Sequence, residues 1–180
     1  ATTITSFDTD DDLTLAQLAQ GNDSGTAPEY DSLGAAALTA VSDDDWAETT
    51  TFASRQLAVA AAARRCLFES ASRAVCGLVY CAAASTIADM AAYMHAAGFS
   101  TCQLHGSGES RARRIEALRD GRVDFLLIHE NTNAAGMDMP FVRFILLPYL
   151  CRDSLREKII ERVQRPGRTS PLQVFQMTEV

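Results

Sequence analysis

Fifteen of the sixteen basic residues are arginine, and only Lys158 is lysine. A guanidinium presents a planar fork of donors that grips phosphate or carboxylate through paired hydrogen bonds, whereas an ammonium acts as a point charge. A biased genome base composition produces the same usage. Of the three histidines, His105 and His129 fall at the ends of short apolar runs with strand character, where open α/β sheets build their sites. His95 sits on an Ala-rich helical stretch and reads as packed or solvent-facing. Gly106-Ser-Gly108 reads as a short flexible turn after a strand. No GxxxxGK[ST], no GxGxxG after a strand, no HExxH, no metal-type Cys/His spacing and no Gly-x-Ser-x-Gly occurs. Neither a metal nor a cofactor is therefore expected. Five cysteines without a CxxC pair or a secretory leader predict reduced thiols in an intracellular, reducing compartment: cytosol, nucleus or mitochondrial matrix.

The net charge of −7 conceals a division. Residues 1–54 carry eleven acids and no Lys or Arg, so the remainder of the chain, with all sixteen basic groups, is net positive. Residues 1–53 are rich in Asp, Thr, Ser, Gly and Ala, with two short apolar patches, Leu13–Leu18 and Leu33–Val41. Neither patch supports a core. This composition predicts an acidic, extended arm, either solvated or ordered on a partner by lying against a basic surface, another subunit or the Arg-rich part of this chain. No apolar stretch reaches the roughly 18 residues of a membrane span, so no membrane insertion is expected.

From Ser54 the pattern changes. Ser54 reads as the N-cap of a strong helix former running to Glu69. Val75–Cys81 reads as a strand, Ser85–Ala97 as a helix capped by Ser85 and ended by Gly98, and Phe99–Leu104 as a strand. Glu109–Asp120 reads as a basic helix stopped by Gly121, followed by buried strands at Val123–Ile128 and Val142–Leu147. Ser154–Gln164 reads as a charged helix, and Leu172–Met177 as a closing strand with alternating faces. Strands alternating with helices of this length specify a mainly parallel sheet covered on both faces. The expected fold over residues 54–180 is thus a three-layer α/β domain.

From about Cys76 onward, the order and spacing of these runs resemble the C-terminal RecA-like lobe of superfamily 2 helicases, the class that includes DEAD-box RNA helicases. Gly77-Leu-Val-Tyr-Cys81 resembles the apolar strand opening that lobe. Leu104-His-Gly106 followed by Arg113 resembles the family's His-Gly and Gln-x-x-Arg, with Ser110 at the Gln position. Glu130-Asn-Thr-Asn-Ala-Ala-Gly-Met-Asp-Met-Pro140 is similar to the Thr-Asp-x-x-Ala-Arg-Gly-Leu-Asp-Ile-Pro loop that couples RNA to nucleotide. Ala134, Gly136, Asp138 and Pro140 match; Glu130, Asn131 and Ala135 replace the Thr, Asp and Arg. Gln164-Arg-Pro-Gly-Arg168 resembles the arginine-finger segment. Arg165 and Arg168 match, and Pro171 occupies the place of the last Arg.

The resemblance implies a vestigial nucleotide-binding set, Gly136, Asp138, Arg165 and Arg168, and, with Arg111 and Arg114 added from the basic helix, an RNA-binding set, His105, Gly106, Arg111, Arg113 and Arg114. It also implies that ATP hydrolysis needs another lobe supplying a phosphate loop, a Lys and Mg²⁺-binding acids. Residues 1–75 hold no such loop, and losing one finger lowers turnover by about 10³-fold or more. The leading expectation is a non-catalytic lobe serving as a structural or assembly subunit of a larger complex, a ribonucleoprotein. Its partners would be protein subunits, with RNA reached through the Arg-bearing helices around Arg111–Arg119 and Arg152–Arg162. The alternatives are the second lobe of a helicase whose first lobe is a separate chain, and a protein-interaction module strapped to a neighbour by its arm.

Overall fold

A computed structural model describes residues 2–8, 49–52, 54–71, 74–129, 138–149, 151–166, 168 and 170–179. In chain order the elements are Thr2–Asp8 (β1), Thr49–Phe52 (β2), Arg55–Glu69 (α1), Gly77–Cys81 (β3), Ser85–Ala96 (α2), Thr101–Gln103 (β4), Gly108–Arg119 (α3), Phe125–His129 (β5), Phe144–Leu147 (β6), Asp153–Val163 (α4) and Gln173–Glu179 (β7). One seven-stranded sheet runs β2-β1-β7-β6-β3-β5-β4. The five strands from β7 to β4 are mutually parallel, while β1 pairs antiparallel with both β7 and β2.

The central strands are apolar at every position because both of their faces are dry. All five residues of β3 and all four of β6 are buried. On one face Val79, Phe125, Leu127, Phe144 and Phe175 pack with α1 and α2; on the other Leu78, Leu126, Ile145 and Val174 pack with α3 and α4. The link from β3 to β4 crosses the first face in one direction, and the links returning through α3 and α4 cross the second. Crossovers of a single hand require that arrangement. Phe125, Phe144 and Phe175 are at most 2% exposed, and burying each side chain contributes about 1.5–3 kcal/mol.

Local signals set the boundaries. The Ser54 hydroxyl accepts the Leu57 N–H at 3.3 Å, capping α1 as its sequence predicts. The helices α2 and α3 both end in Schellman turns, with Phe99 N–H donating to Met94 O (2.9 Å) and Arg122 N–H to Ala117 O (2.8 Å) across Gly98 and Gly121. Two expectations need correction. Ser85 is not a cap, because the chain is already helical at Ala84 (φ −61°, ψ −33°) and no side chain caps α2; a capping hydroxyl needs the extended backbone that Ser54 has. Nor does β7 close the sheet: β1 and β2 lie beyond it, so Phe175 and Met177 are buried on one face and Val174 on the other. Residues 9–48, most of the acidic segment, lie outside the described residues, and its two ends are these added strands.

Gly77 pairs with Phe125 of the neighbouring strand, and a Cβ at Gly77 would run into the Phe125 ring. That ring is fully buried and edge-on to Phe99, with centroids 5.5 Å apart. Gly77→Ala is therefore expected to lower unfolding free energy by about 1–3 kcal/mol, read by urea denaturation. Burial pushes the Cys81 thiol up to about 12, against a hydrogen bond from Thr86 that lowers it, and burial also raises Cys66, Cys76 and Cys151. An unfolded thiol titrates near about 8.5. Its stabilising contribution is complete below that pH and is lost as pH rises toward the folded value. The urea midpoint should fall between about pH 8 and about pH 10.5, and less steeply in Cys81→Ala.

Candidate functional site

The first cluster forms where β4 ends and α3 begins, at the carboxyl ends of the parallel strands. Leu104 is buried and donates its N–H to Leu127 O (2.9 Å), which anchors the strand end, and His105 then turns out to solvent. Gly106 has φ +92°, where a Cβ would also press on the Ser110 side chain at 3.2 Å. This is the left-handed conformation that favours glycine. Ser107 caps α3 by accepting the Ser110 N–H at 3.4 Å.

Two arginines fasten this turn from within. Arg111 Nε donates to Gly106 O at 2.9 Å, and Arg114 Nη1 donates to the carbonyls of Gln103 and His105, the latter at 3.1 Å. Arg113 differs, with a side chain 75% exposed and paired to the equally exposed Glu109 one turn away. Such a pair is worth about 0–1 kcal/mol, so little holds Arg113 back from a phosphate. Of the RNA-binding set, then, His105, Gly106, Arg111, Arg113 and Arg114 do come together, but Arg111 and Arg114 hold backbone, while His105 and the Glu109-paired Arg113 face solvent.

The second cluster lies at the opposite end of the sheet, where β6 and β7 start. Asp138 and Arg165 form an ion pair (3.1 Å), both well exposed. Arg168 turns inward: its Nη1 donates to Val142 O at 2.7 Å and to Pro140 O at 3.4 Å, the two carbonyls just ahead of β6. Met139, fully buried, donates its N–H to Arg162 O at 3.4 Å and keeps the segment against the end of α4. Asp138, Arg165 and Arg168 are thus brought together, and the two clusters are kept apart by the length of the sheet. Gly136 lies outside the described residues, as do the neighbouring positions 130–137. No group of three His, Cys, Asp or Glu side chains able to hold a metal occurs among the described residues.

The family model for the helicase conserved C-terminal domain matches residues 59–170. The chain belongs to this family. It is a C-terminal RecA-like lobe of the superfamily 2 helicase type, and β1, β2, the start of α1 and β7 lie outside the matched span. Among solved structures, the helicase domain of Hef from Pyrococcus furiosus is similar at 18% identity with a TM-score of 0.53, covering 67% of this chain and 24% of that one. The structure of the Escherichia coli DEAD-box protein SrmB bound to RraA is similar at 22% identity and a TM-score of 0.48, covering 63% and 68%. Prp28 from Chaetomium thermophilum, bound to ADP, gives 26% and 0.47, covering 61% and 27%. This chain therefore spans about a quarter of the Hef and Prp28 chains. Among curated proteins, none matches this sequence.

Sequence reasoning misassigned one arginine of this helicase C-terminal domain and passed over another. Arg156, read as part of an outward basic face on α4, is 4% exposed and held by Asp153 (2.9 Å) and Gln176 (2.9 Å). A residue three positions after Asp153 on a helix meets it, and this spacing was the available signal. Arg55, the first basic residue of the chain, was given no role; its guanidinium lies 4.5 Å over the Tyr149 ring and pairs with Glu179, joining α1 to the carboxyl ends of β6 and β7. Its partners are 94 and 124 positions away, so no local pattern points to them. Arg168→Ala should cost about 1.5–3 kcal/mol, since it frees buried carbonyls from a charged donor, whereas Arg165→Ala should cost under about 1 kcal/mol. Urea denaturation of the two variants side by side checks this ordering.

Proposed function

We propose that this helicase C-terminal lobe is a non-catalytic structural or assembly element of a larger ribonucleoprotein complex. The observation that carries the reading is the state of the two matching arginines. An arginine finger acts by offering donors to the charge that develops on a transferred phosphoryl group. Here Arg168 Nη1 is turned inward to Val142 O and Pro140 O, and Arg165 is balanced by Asp138. Pro171 stands where the resemblance places the last Arg, and Glu130 where it places the Thr of the phosphate-coupling loop, an acid in place of a neutral residue.

Charge decides which helix meets RNA. The sequence of α3 carries four arginines and two glutamates, whereas α4 balances three basic residues against three acids and buries one of them, Arg156. The outward field therefore belongs to α3, through Arg113 and Arg119, both more than half exposed. The exposed Asp138–Arg165 pair favours one second reading, because another chain carrying a phosphate-loop lobe could reach it from solvent.

Purified protein with Mg²⁺-ATP, with and without single-stranded RNA, is expected to release no phosphate above the protein-free blank. Release that disappears in Arg168→Ala would overturn the non-catalytic reading, and release only after adding a phosphate-loop lobe would establish the second one. Filter binding to RNA should weaken with salt, the log–log slope shrinking by about 0.7 for each of Arg113→Ala and Arg119→Ala. A slope near zero would remove RNA from the proposal.

A further inference from the structure

The outward backbone groups of β4 can be named from its hydrogen bonds. In a parallel ladder each residue turns its N–H and C=O to the same side, and successive residues alternate between the two sides. Ser100 O accepts the Phe125 N–H (3.1 Å) and the Leu104 N–H donates to Leu127 O (2.9 Å), so Ser100, Cys102 and Leu104 face β5. Thr101, Gln103 and His105 therefore turn their backbone groups away from the sheet. Among the described residues no strand pairs with that side, because β4 ends the strand order. Such a row of groups is a template for a strand of another molecule. The β4 sequence Thr101-Cys102-Gln103 has no charge and no proline to deter one, and its register with β5 runs without a bulge. Its shortness is its own single defence.

We infer that Arg114 guards this edge, and that without it β4 pairs with the β4 of a second copy of this chain. Arg114 belongs to α3, yet its Nη1 donates to Gln103 O and to His105 O (3.1 Å), the two outward carbonyls at the end of the strand. It supplies the edge with donors that a neighbouring strand would otherwise supply. A docking strand must displace bonds from a charged donor, which are stronger than the neutral ones it offers in return. Arg111 of the same helix differs, since its Nε bonds Gly106 O beyond the strand and leaves the ladder positions untouched. The guanidinium also places a positive charge on the edge. Two copies meeting there would bring these like charges together, which is the usual way that charged side chains keep sheet edges apart.

Symmetry selects the occupant. An edge open in one copy is open in every copy, and a two-fold axis normal to the sheet joins two such edges antiparallel, each offering the same surface. Centred on Cys102, that pairing sets Thr101 opposite Gln103 of the second copy, both with outward backbone groups, and keeps matching faces of the two sheets aligned. Cys102 then faces its own counterpart as a non-hydrogen-bonded pair, with Cα atoms about 4.5 Å apart. That separation permits a disulfide.

The full chain carrying Arg114→Met, which keeps the length of the side chain without its donors, tests this beside Arg114→Gln, whose amide is too short to reach both carbonyls. In sedimentation equilibrium from about 1 to about 100 μM, both variants are expected to rise toward twice the wild-type mass, with the far-ultraviolet circular dichroism retained. Under copper–phenanthroline and air, which take up the two electrons and two protons that the thiols lose, the disulfide-linked dimer should form at least about tenfold more in Arg114→Met than in wild type. Adding Cys102→Ser should abolish it. Variants at wild-type mass, a wild type already paired through Cys102, or a dimer whose crosslink survives Cys102→Ser would overturn the inference. So would loss of the fold in both variants, because a guard lies outside the core.

Discussion

A parallel sheet cannot leave either face wet, and nearly everything in this molecule follows from that. The middle strand β3 is buried from Gly77 to Cys81, with β5 and β6 hydrogen-bonded on either side and helices above and below. Parallel strands need long crossovers, and these are the helices that seal the faces. The same constraint explains the Gly77 position: two strands in register with a phenylalanine directly alongside leave no room for even a methyl group. It also explains the silent thiols, since Cys66 and Cys81 lie inside the layer between sheet and helices, where a thiolate would be desolvated.

Once the core is closed, the arginines sort by what surrounds them. Arg156 is drawn into the face that carries α4 because Asp153 and Gln176 meet it there, and Arg143 lies 5.2 Å over Phe144 while bonding Glu69 O. Arg111, Arg114 and Arg168 hold turns by gripping backbone carbonyls that strand ends leave unpaired. Buried carbonyls need donors, and a guanidinium supplies several in one plane. An arginine-rich sequence therefore does not translate directly into an arginine-rich surface. Much of the positive charge is consumed in joining turns to strands.

The strands from β3 to β7 and the helices α1 to α3 were legible in the sequence because each is announced locally, by an apolar run, a capping serine or a terminating glycine; α4, which no side chain caps, was legible only as a charged run of helix formers. The order of the matches also announced the fold. What stayed illegible depends on pairings between distant residues. Thr2–Asp8 has no apolar run, and only its ladders to β7 and β2 make it a strand. The family pattern marks Arg168 as a finger, but its acceptors stand 26 and 28 positions earlier, and only the fold brings them within reach. The separation of the two clusters to opposite sheet ends was hidden for the same reason, since spacing along a chain carries no direction in space.

The uneven charge along the chain gains meaning once the strands are placed. Pairing β1 with β7 and β2 with β1 ties both flanks of the acidic segment into the sheet, Asp8 opposite Gln173 and Thr49 opposite Thr5, so the segment stays attached to the arginine-bearing domain at both ends. Over a Debye length of about 8 Å at physiological salt, only charges held that close interact appreciably. An outside acidic ligand competes with these carboxylates only where it approaches them within that distance. The surface best placed to escape that competition is the one on the other face of the sheet from α1, where α3 presents Arg113 and Arg119.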